Sequence, residues 1–247
     1  MRLAILSDIH GNLLALDAVL QDLKEAGGAD KMWILGDLVA FGPRPAECMA
    51  RLRDLKEAKV IVGNTDRYVF NGDRRSSGTV KDEKEWQSRL DNLITRDANF
   101  NWTASQLKFA DYEYFSKLRQ ELDLEVPDYG WVIGYHGAPG SDEVLMWPET
   151  PDEEVADQFI DREGRLGFGG HTHMPMDRDL GRWRVVNVGS IGFPRDEARA
   201  CYVLATFADG GVSLDFRRVS FDVDGFVKDL EQQGNPSWRW IVENIKR

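Results

Sequence analysis

Cysteine is scarce. The 247 residues hold two, Cys48 and Cys201, which gives no disulfide framework. No apolar run approaches the roughly 18 residues needed to span a membrane. The strand-like opening Met1–Ser7 runs straight into charged residues, unlike a signal peptide, so a cytoplasmic location is the expectation. Positive charge is also short. The net charge of −11 argues against a broad nucleic-acid surface or binding to anionic lipid, although a small anionic substrate remains compatible with it. There is no internal repeat and no low-complexity tract. Aromatics are plentiful, with 12 Phe, 8 Trp and 6 Tyr, so the chain can collapse around a core and is not disordered.

Histidine is the scarce residue that informs. There are four, and all sit in short polar clusters close behind apolar runs. Leu3–Leu6 leads into Ser7-Asp8-Ile9-His10-Gly11-Asn12. Leu13, Leu16, Val19, Leu20 and Leu23 then recur at helical spacing, and Gly27-Gly28 ends that helix. Lys31–Leu35 is closed by Gly36-Asp37. A helix with Cys48, Met49, Leu52 and Leu55 on its apolar stripe follows Pro43 and Pro45. Val60–Val62 is closed by Gly63-Asn64-Thr65-Asp66. Strand–helix–strand–helix–strand at about 30 residues per unit is the period of right-handed crossovers in a parallel sheet.

From Arg67 to about Pro127 the pattern turns charged and helical. Trp86, Leu90, Leu93 and Ile94 space like one helix. Leu107, Tyr114, Phe115 and Leu118 space like another, with a capped start at Thr103–Gln106. The expectation is a helical cap insertion, residues 67–127, within one domain spanning 1–247. Asn71–Asp82, with Ser76-Ser77-Gly78, reads as a polar loop. Strands return at Trp131–Tyr135 before His136-Gly137, at Leu166–Gly170 before His171-Thr172-His173, and at Arg182–Val188. A hairpin is expected around Asp209-Gly210-Gly211. A helix is expected near Asp152–Asp161, and one or two amphipathic helices in the tail from Asp222.

Asp8, His10, Asp37, Asn64, His136, His171 and His173 thus all fall at or just beyond strand C-termini, the edge where α/β sheets bind ligands. Carboxylate, imidazole and carboxamide together form a mixed N/O set suited to borderline divalent metals, and seven donors suit two ions sharing a carboxylate. Asp8 and His10, like His171 and His173, stand two residues apart. In extended backbone that spacing points both side chains the same way.

The series Asp8-x-His10-Gly11-Asn12, Gly36-Asp37, Gly63-Asn64-x-Asp66, His136-Gly137 and Gly170-His171-x-His173 resembles the calcineurin-like metallophosphoesterases, most of all their small prokaryotic phosphodiesterase branch. The resemblance implies an α/β fold of the αββα kind, two facing mixed sheets flanked by helices, with the strands after His173 completing the second sheet. It implies two divalent ions (Mn, Fe, Zn, Co, Ni or Mg, with Mn favoured). One is held by Asp8, His10 and His173, the other by Asn64, His136 and His171, with Asp37 bridging. It further implies phosphoester hydrolysis by a metal-activated hydroxide, with Asp37, Asn64, Asp66 and His136 as catalytic residues and Asp66 orienting Asn64 or His10. The substrate would be a small phosphoester, with a nucleotide-derived one among the candidates and a diester preferred over a monoester. A serine/threonine phosphoprotein phosphatase and a non-catalytic metal-binding scaffold on the same fold are the alternatives.

One position departs from the pattern. Many relatives carry histidine where this chain has Thr65, so the leaving oxygen lacks an imidazole acid. Arg67 and Arg195 are candidate replacements for charge stabilisation. Trp238 and Trp240 read as packing residues.

Overall fold

The computed structural model describes residues 1–75 and 78–245. In chain order the elements are β1 (Arg2–Leu6), α1 (Leu13–Glu25), β2 (Lys31–Leu35), α2 (Pro45–Asp54), β3 (Ala58–Ile61), α3 (Asn64–Asn71), α4 (Glu83–Gln106), α5 (Phe109–Phe115), β4 (Leu122–Val126), β5 (Gly130–Gly134), α6 (Asp152–Asp157), β6 (Leu166–Gly169), β7 (Met176–Asp179), β8 (Arg184–Asn187), β9 (Ala200–Ala208), β10 (Gly211–Val219), α7 (Val223–Gln232) and α8 (Trp238–Asn244).

Ten strands form two five-stranded sheets, ordered β10-β9-β1-β2-β3 and β4-β5-β6-β8-β7. The strands β1, β2 and β3 pair in parallel, as the repeating strand–helix spacing requires. Each sheet is mixed, because β9 and β10 in the first and β4 and β7 in the second run antiparallel to their neighbours.

Both faces of the central strands are buried, which is why they read as unbroken apolar runs. Along β1, Leu3 and Ile5 enter the layer between the sheets, with Trp33, Leu35, Val132, Phe168 and Val186. Ala4 and Leu6 point the other way, into a core shared with Leu16 and Val19 of α1 and Cys48, Met49 and Leu52 of α2. A third cluster covers the outer face of the second sheet, where Tyr135 and Val185 meet Val155 and Phe159. The result is helix, sheet, sheet, helix: the αββα sandwich.

Three details differ from the sequence reading. Of the strands after His173, only β7 and β8 join the second sheet. The long pair β9 and β10 returns to the first, because β9 has a free edge of β1 to pair with. The segment between Arg67 and Pro127 is not helical throughout, since Leu122–Val126 is β4, whose end residues Leu122 and Val126 are buried against the inter-sheet layer. Thr103 starts no helix. It lies buried inside the 24-residue α4, and the break comes at Leu107 and Lys108. Of the polar loop read at Asn71–Asp82, Ser76 and Ser77 lie outside the described residues, as do Lys246 and Arg247 of the tail.

Candidate metal centre

The C-terminal ends of β1, β2, β5 and β6 open onto one edge, and the loops there carry the site. The backbone at Asp8, His10, Asp37, His171 and His173 is left-handed, with φ of 55°, 49°, 54°, 69° and 62°. Asp8 and His10 therefore do not converge through extended geometry, as their spacing alone suggests. The chain turns sharply at each ligand position. L-residues avoid that region at a cost of about 1 kcal/mol or more each, so neighbouring contacts must impose it. They do. The N–H of Asp8 donates to the Gly36 carbonyl at 3.1 Å, that of His10 to the Asp37 carbonyl at 2.9 Å, and that of Gly11 to Leu38 at 3.0 Å, lacing the β1 loop to the β2 loop. The His171 N–H donates to Asp8 Oδ2 at 3.0 Å.

Two glycines permit the approach. A Cβ at Gly63 would stand 2.2 Å from Asp37 Oδ1, and one at Gly170 would stand 2.4 Å from Asp8 Oδ2. Any side chain at either position would displace a carboxylate.

The donor atoms then crowd together. One group comprises Asp8, His10, Asp37 and His173, the other Asp37, His136 and His171, and within each group the donor atoms lie within 4.8 Å of one another. His10 Nε2 faces His173 Nε2 at 3.1 Å, and His173 Nε2 faces Asp8 Oδ1 at 3.1 Å. Asp37 stands between the groups, its Oδ2 3.5 Å from His10 Nε2 and its Oδ1 3.4 Å from His136 Nε2. Asn64 Oδ1 lies 3.1 Å from His136 Nε2, beside the second group. Asn64 is the first residue of α3, and the Thr65 N–H donates to Asp37 Oδ1 at 2.9 Å.

Two imidazoles are oriented from behind. His136 Nδ1 donates to the Leu35 carbonyl at 2.7 Å, and His173 Nδ1 to the Phe193 carbonyl at 2.7 Å. A carbonyl only accepts, so each Nδ1 carries a proton and each Nε2 is the ring atom turned to the cluster. Asn187 holds the His171–His173 loop, donating to Thr172 Oγ1 at 2.9 Å and to the Gly170 carbonyl.

The electrostatics agree. Burial pulls the His10 imidazole down to about 4. Burial, together with the neighbouring His136, does the same for His171, so both stay neutral. Burial works against ionisation of Asp8 and Asp37 as well, yet the facing imidazoles, His173 for Asp8 and His136 for Asp37, hold both below the usual carboxylate range. Against the pull of burial, Asp37 pushes His136 up to about 10. Two buried carboxylates thus draw a proton onto an imidazole for want of other positive charge, as buried anions require. Asp8 Oδ1, His10 Nδ1 and His171 Nε2 are buried with no hydrogen-bond partner among the described residues. Unsatisfied donors and acceptors, mixed N/O chemistry and a shared carboxylate all fit a pair of divalent cations.

Asp66 sits beneath the cluster. It accepts the N–H of Leu38 at 2.7 Å and that of Gly63 at 3.0 Å, so it ties the loops of Asp37 and Asn64 together through backbone and touches neither Asn64 nor His10 by hydrogen bond. Burial and the Asp37 charge raise it to about 7. Arg67 is committed elsewhere, to Asp142, Glu143 and Asp73. Thr65 Oγ1 is buried without a hydrogen-bond partner among the described residues.

His10, Asp37, Asn64, His171 and His173 line one side of a cleft of about 220 Å³. Its other walls include Phe41, Phe193, Trp147 and Trp240, with Arg96 and Arg195. Sequence spacing did not single out this aromatic wall. Trp240 stacks on Phe193 with ring centroids 6.0 Å apart and planes 13° from parallel, although 47 residues separate them.

A two-sheet sandwich bearing paired Asp/His/Asn clusters on one sheet edge defines a metallophosphoesterase fold. The family model for the calcineurin-like phosphoesterase superfamily domain matches residues 1–210, and the chain belongs to that superfamily. An uncharacterized protein of Methanocaldococcus jannaschii is 28% identical over 254 residues, covering 96% of this chain and 94% of the relative. A symmetrical bis(5'-nucleosyl)-tetraphosphatase of Vibrio parahaemolyticus is 28% identical over 128 residues, which is 49% of this chain and only 46% of that protein. Among solved structures, a metallophosphoesterase from Sphaerobacter thermophilus superposes with a TM-score of 0.74 at 27% identity, covering 99% of this chain and 98% of that one. A hypothetical protein from Pyrococcus horikoshii OT3 reaches 0.80 at 24% identity, covering 100% and 98%, and shares the fold. No helix among the described residues is long and apolar enough to cross a membrane.

Proposed function

We propose that the chain is a dinuclear, metal-dependent hydrolase of phosphoric esters, acting on diesters in preference to monoesters and on a small, nucleotide-derived substrate. The observation that carries this reading is the meeting of two donor groups on one carboxylate, Asp37. Asp8, His10 and His173 would hold one divalent cation, with Mn favoured. Asn64, His136 and His171 would hold the second, and Asp37 would serve both. Bound there, the cations supply Lewis acidity and a water acidic enough to act as nucleophile near neutral pH.

The chain supplies positioning. The Leu35 and Phe193 carbonyls keep two imidazoles in the ligating tautomer, and Asp66 holds the loops of Asp37 and Asn64 at a fixed separation. Thr65 offers a hydroxyl where an imidazole acid is common among relatives. A hydroxyl can donate a hydrogen bond to a phosphoryl oxygen, but it is a poor source of protons for a departing alkoxide. That favours leaving groups that depart as stable anions. A cleft of about 220 Å³ suits a small phosphoester better than a protein loop. Likeness to the Vibrio tetraphosphatase supports a nucleotide-derived substrate.

The test is hydrolysis of bis(p-nitrophenyl) phosphate with Mn²⁺ by the wild type and by Asp37→Asn and His136→Ala. The expected result is turnover by the wild type and near loss in both variants. Equal rates in all three would overturn the proposal.

A further inference from the structure

Among the described residues, eight that are not glycine hold a left-handed backbone, and seven of them are Asp or His. The eighth is Phe41, with φ of 78°. A bulky apolar residue is an outlier in that region, so its surroundings must hold it there. Its ring centroid stands 5.1 Å from that of His10. It also meets Phe193 at 5.8 Å and Trp240 at 5.6 Å, and all three rings line the cleft. What holds Phe41 is a closed cycle of three hydrogen bonds. Its N–H donates to Asn99 Oδ1 at 2.8 Å, Asn99 Nδ2 donates to Asn235 Oδ1 at 3.1 Å, and Asn235 Nδ2 donates back to the Phe41 carbonyl at 2.7 Å. Both asparagines are buried. Each link of the cycle uses a carboxamide as donor and acceptor at once, which neither a carboxylate nor an apolar side chain can do. Asn235 Oδ1 also accepts the Ser237 N–H at 3.0 Å, and Ser237 Oγ donates to the Thr95 carbonyl at 2.6 Å. Asn99 lies in the part of α4 that buries side chains, with Phe100 and Thr103. Asn235 joins α7 to α8, beyond residue 210 where the family model ends. The two C-terminal helices therefore reach the cleft twice, through Asn235 on the Phe41 carbonyl and through the Trp240 ring.

We propose that Asn99 and Asn235 are positioning residues: they fix the Phe41 ring beside the Asp/His cluster, and the wall so set recognises a ring carried on the substrate. This rests on the phosphoesterase reading and deepens it. Neither asparagine lines the cleft, so each acts through Phe41. Without the cycle, the Phe41 N–H and carbonyl lose buried partners and the left-handed turn loses its restraint. The ring then leaves its place between His10 and Trp240. Aromatic contacts depend on centroid distance and tilt, so a displaced wall binds a substrate ring less well while the polar side of the cleft is unchanged. The cluster and the wall thus have separate supports. Backbone bonds between the β1 and β2 loops hold the first, and carboxamides from α4 and the C-terminal helices hold the second.

The experiment titrates the Mn²⁺-loaded full chain, by calorimetry, with phenylphosphonate and with methylphosphonate, which differ only in the ring. Wild type, Asn99→Ala, Asn235→Ala, Phe41→Leu and the double variant Asn235→Ala/Phe41→Leu are compared. Steady-state hydrolysis of bis(p-nitrophenyl) phosphate is measured alongside. The wild type is expected to prefer the phenyl compound, and each single variant to cut that preference by about two- to tenfold with methylphosphonate affinity unchanged. The double variant should lose no more than Phe41→Leu alone, because the asparagine acts through that ring. On the aryl diester, KM should rise in both Asn variants while kcat stays near the wild-type value. Asp22→Asn, a change on α1 outside the cleft, should keep the preference intact and so separates positioning from general loosening. No phenyl preference in the wild type, equal losses on both phosphonates, or losses that add in the double variant would overturn the inference. An asparagine-dependent preference with no turnover of the diester would instead overturn the phosphoesterase reading and leave the positioning role standing. Melting curves establish that each variant is folded, and Asn235→Ser is the milder substitution where Asn235→Ala is not.

Discussion

The Nδ1–H of His136 donates to the carbonyl of Leu35 at 2.7 Å, across the seam between the two sheets. Leu35 ends β2 of the first sheet and His136 follows β5 of the second, so one bond both joins the layers and sets the face His136 turns to the cluster. Replacing His136 by Ala removes a donor to the candidate metal pair and leaves a buried carbonyl unpaired. The expected loss of kcat/KM exceeds the roughly 10–100-fold typical of groups that merely orient a ligand. In EDTA the melting temperature should also fall, by several degrees, since an unpaired buried carbonyl costs about 1–3 kcal/mol and each kcal/mol is worth roughly 2–4 °C at this size. Both quantities are read on one preparation, by steady-state assay and by calorimetry.

Two buried carboxylates and a set of unpartnered donors make the metal-free site a source of instability. Saturation with a divalent cation at 100 times its dissociation constant stabilises by about 2.7 kcal/mol, so Mn²⁺ should raise the melting temperature by roughly 5–10 °C over protein in EDTA. Asp37→Asn removes the shared carboxylate and should abolish most of that rise. A Mn²⁺-induced shift of the same size in the variant would show that binding lies elsewhere.

The strand ends bearing Asp8, Asp37, Asn64, His136 and the His171/His173 pair were legible in the sequence because each follows an apolar run buried on both faces. Local pattern and ordered motifs sufficed for these. Other features depend on contacts between distant segments. β4 reads as polar because it is a short edge strand that alternates, with Asp123 and Glu125 facing outward and Leu122 and Val126 inward. The return of β9 to β1 is settled by which sheet edge is free, and residue spacing carries no such information. The aromatic wall escaped for the same reason: Phe41, Phe193 and Trp240 come from three loops and helices that periodicity treats separately. Extended spacing brought Asp8 and His10 together on paper; the chain brings them together through left-handed turns instead.

Away from the site, Asp22 on α1 accepts hydrogen bonds from Arg217 Nε at 2.6 Å and from Tyr202 Oη at 2.8 Å, tying that helix to β9 and β10. The Arg217 hydrogen bond leads the effects that lower the Asp22 pKa. A carboxylate depressed in the folded state adds stability above its unfolded value, near 3.9, and loses it as pH falls through the folded one. Asp22→Asn should therefore melt below the wild type at pH 7, and the gap should close below about pH 4. Melting temperatures across pH 3–7 test this, and a gap that stays constant with pH would count against it.

Both thiols should be inert in the folded protein. Burial pushes Cys201 up to about 12 and holds Cys48 well above the ordinary thiol value. Only a thiolate attacks an alkylating reagent, so iodoacetamide at pH 8 should label neither residue in native protein and both after denaturation. Mass spectrometry of intact and unfolded samples reads this directly.

The left-handed turns at the ligand positions are held by hydrogen bonds that owe nothing to a metal. The proposed cation pair would therefore meet turns that the chain's own hydrogen bonds fix, and exchanging one divalent ion for another would leave that backbone in place. The ranking among them follows the intrinsic preferences of the ions for imidazole and carboxylate, and in a cell it is governed by which ion is on offer.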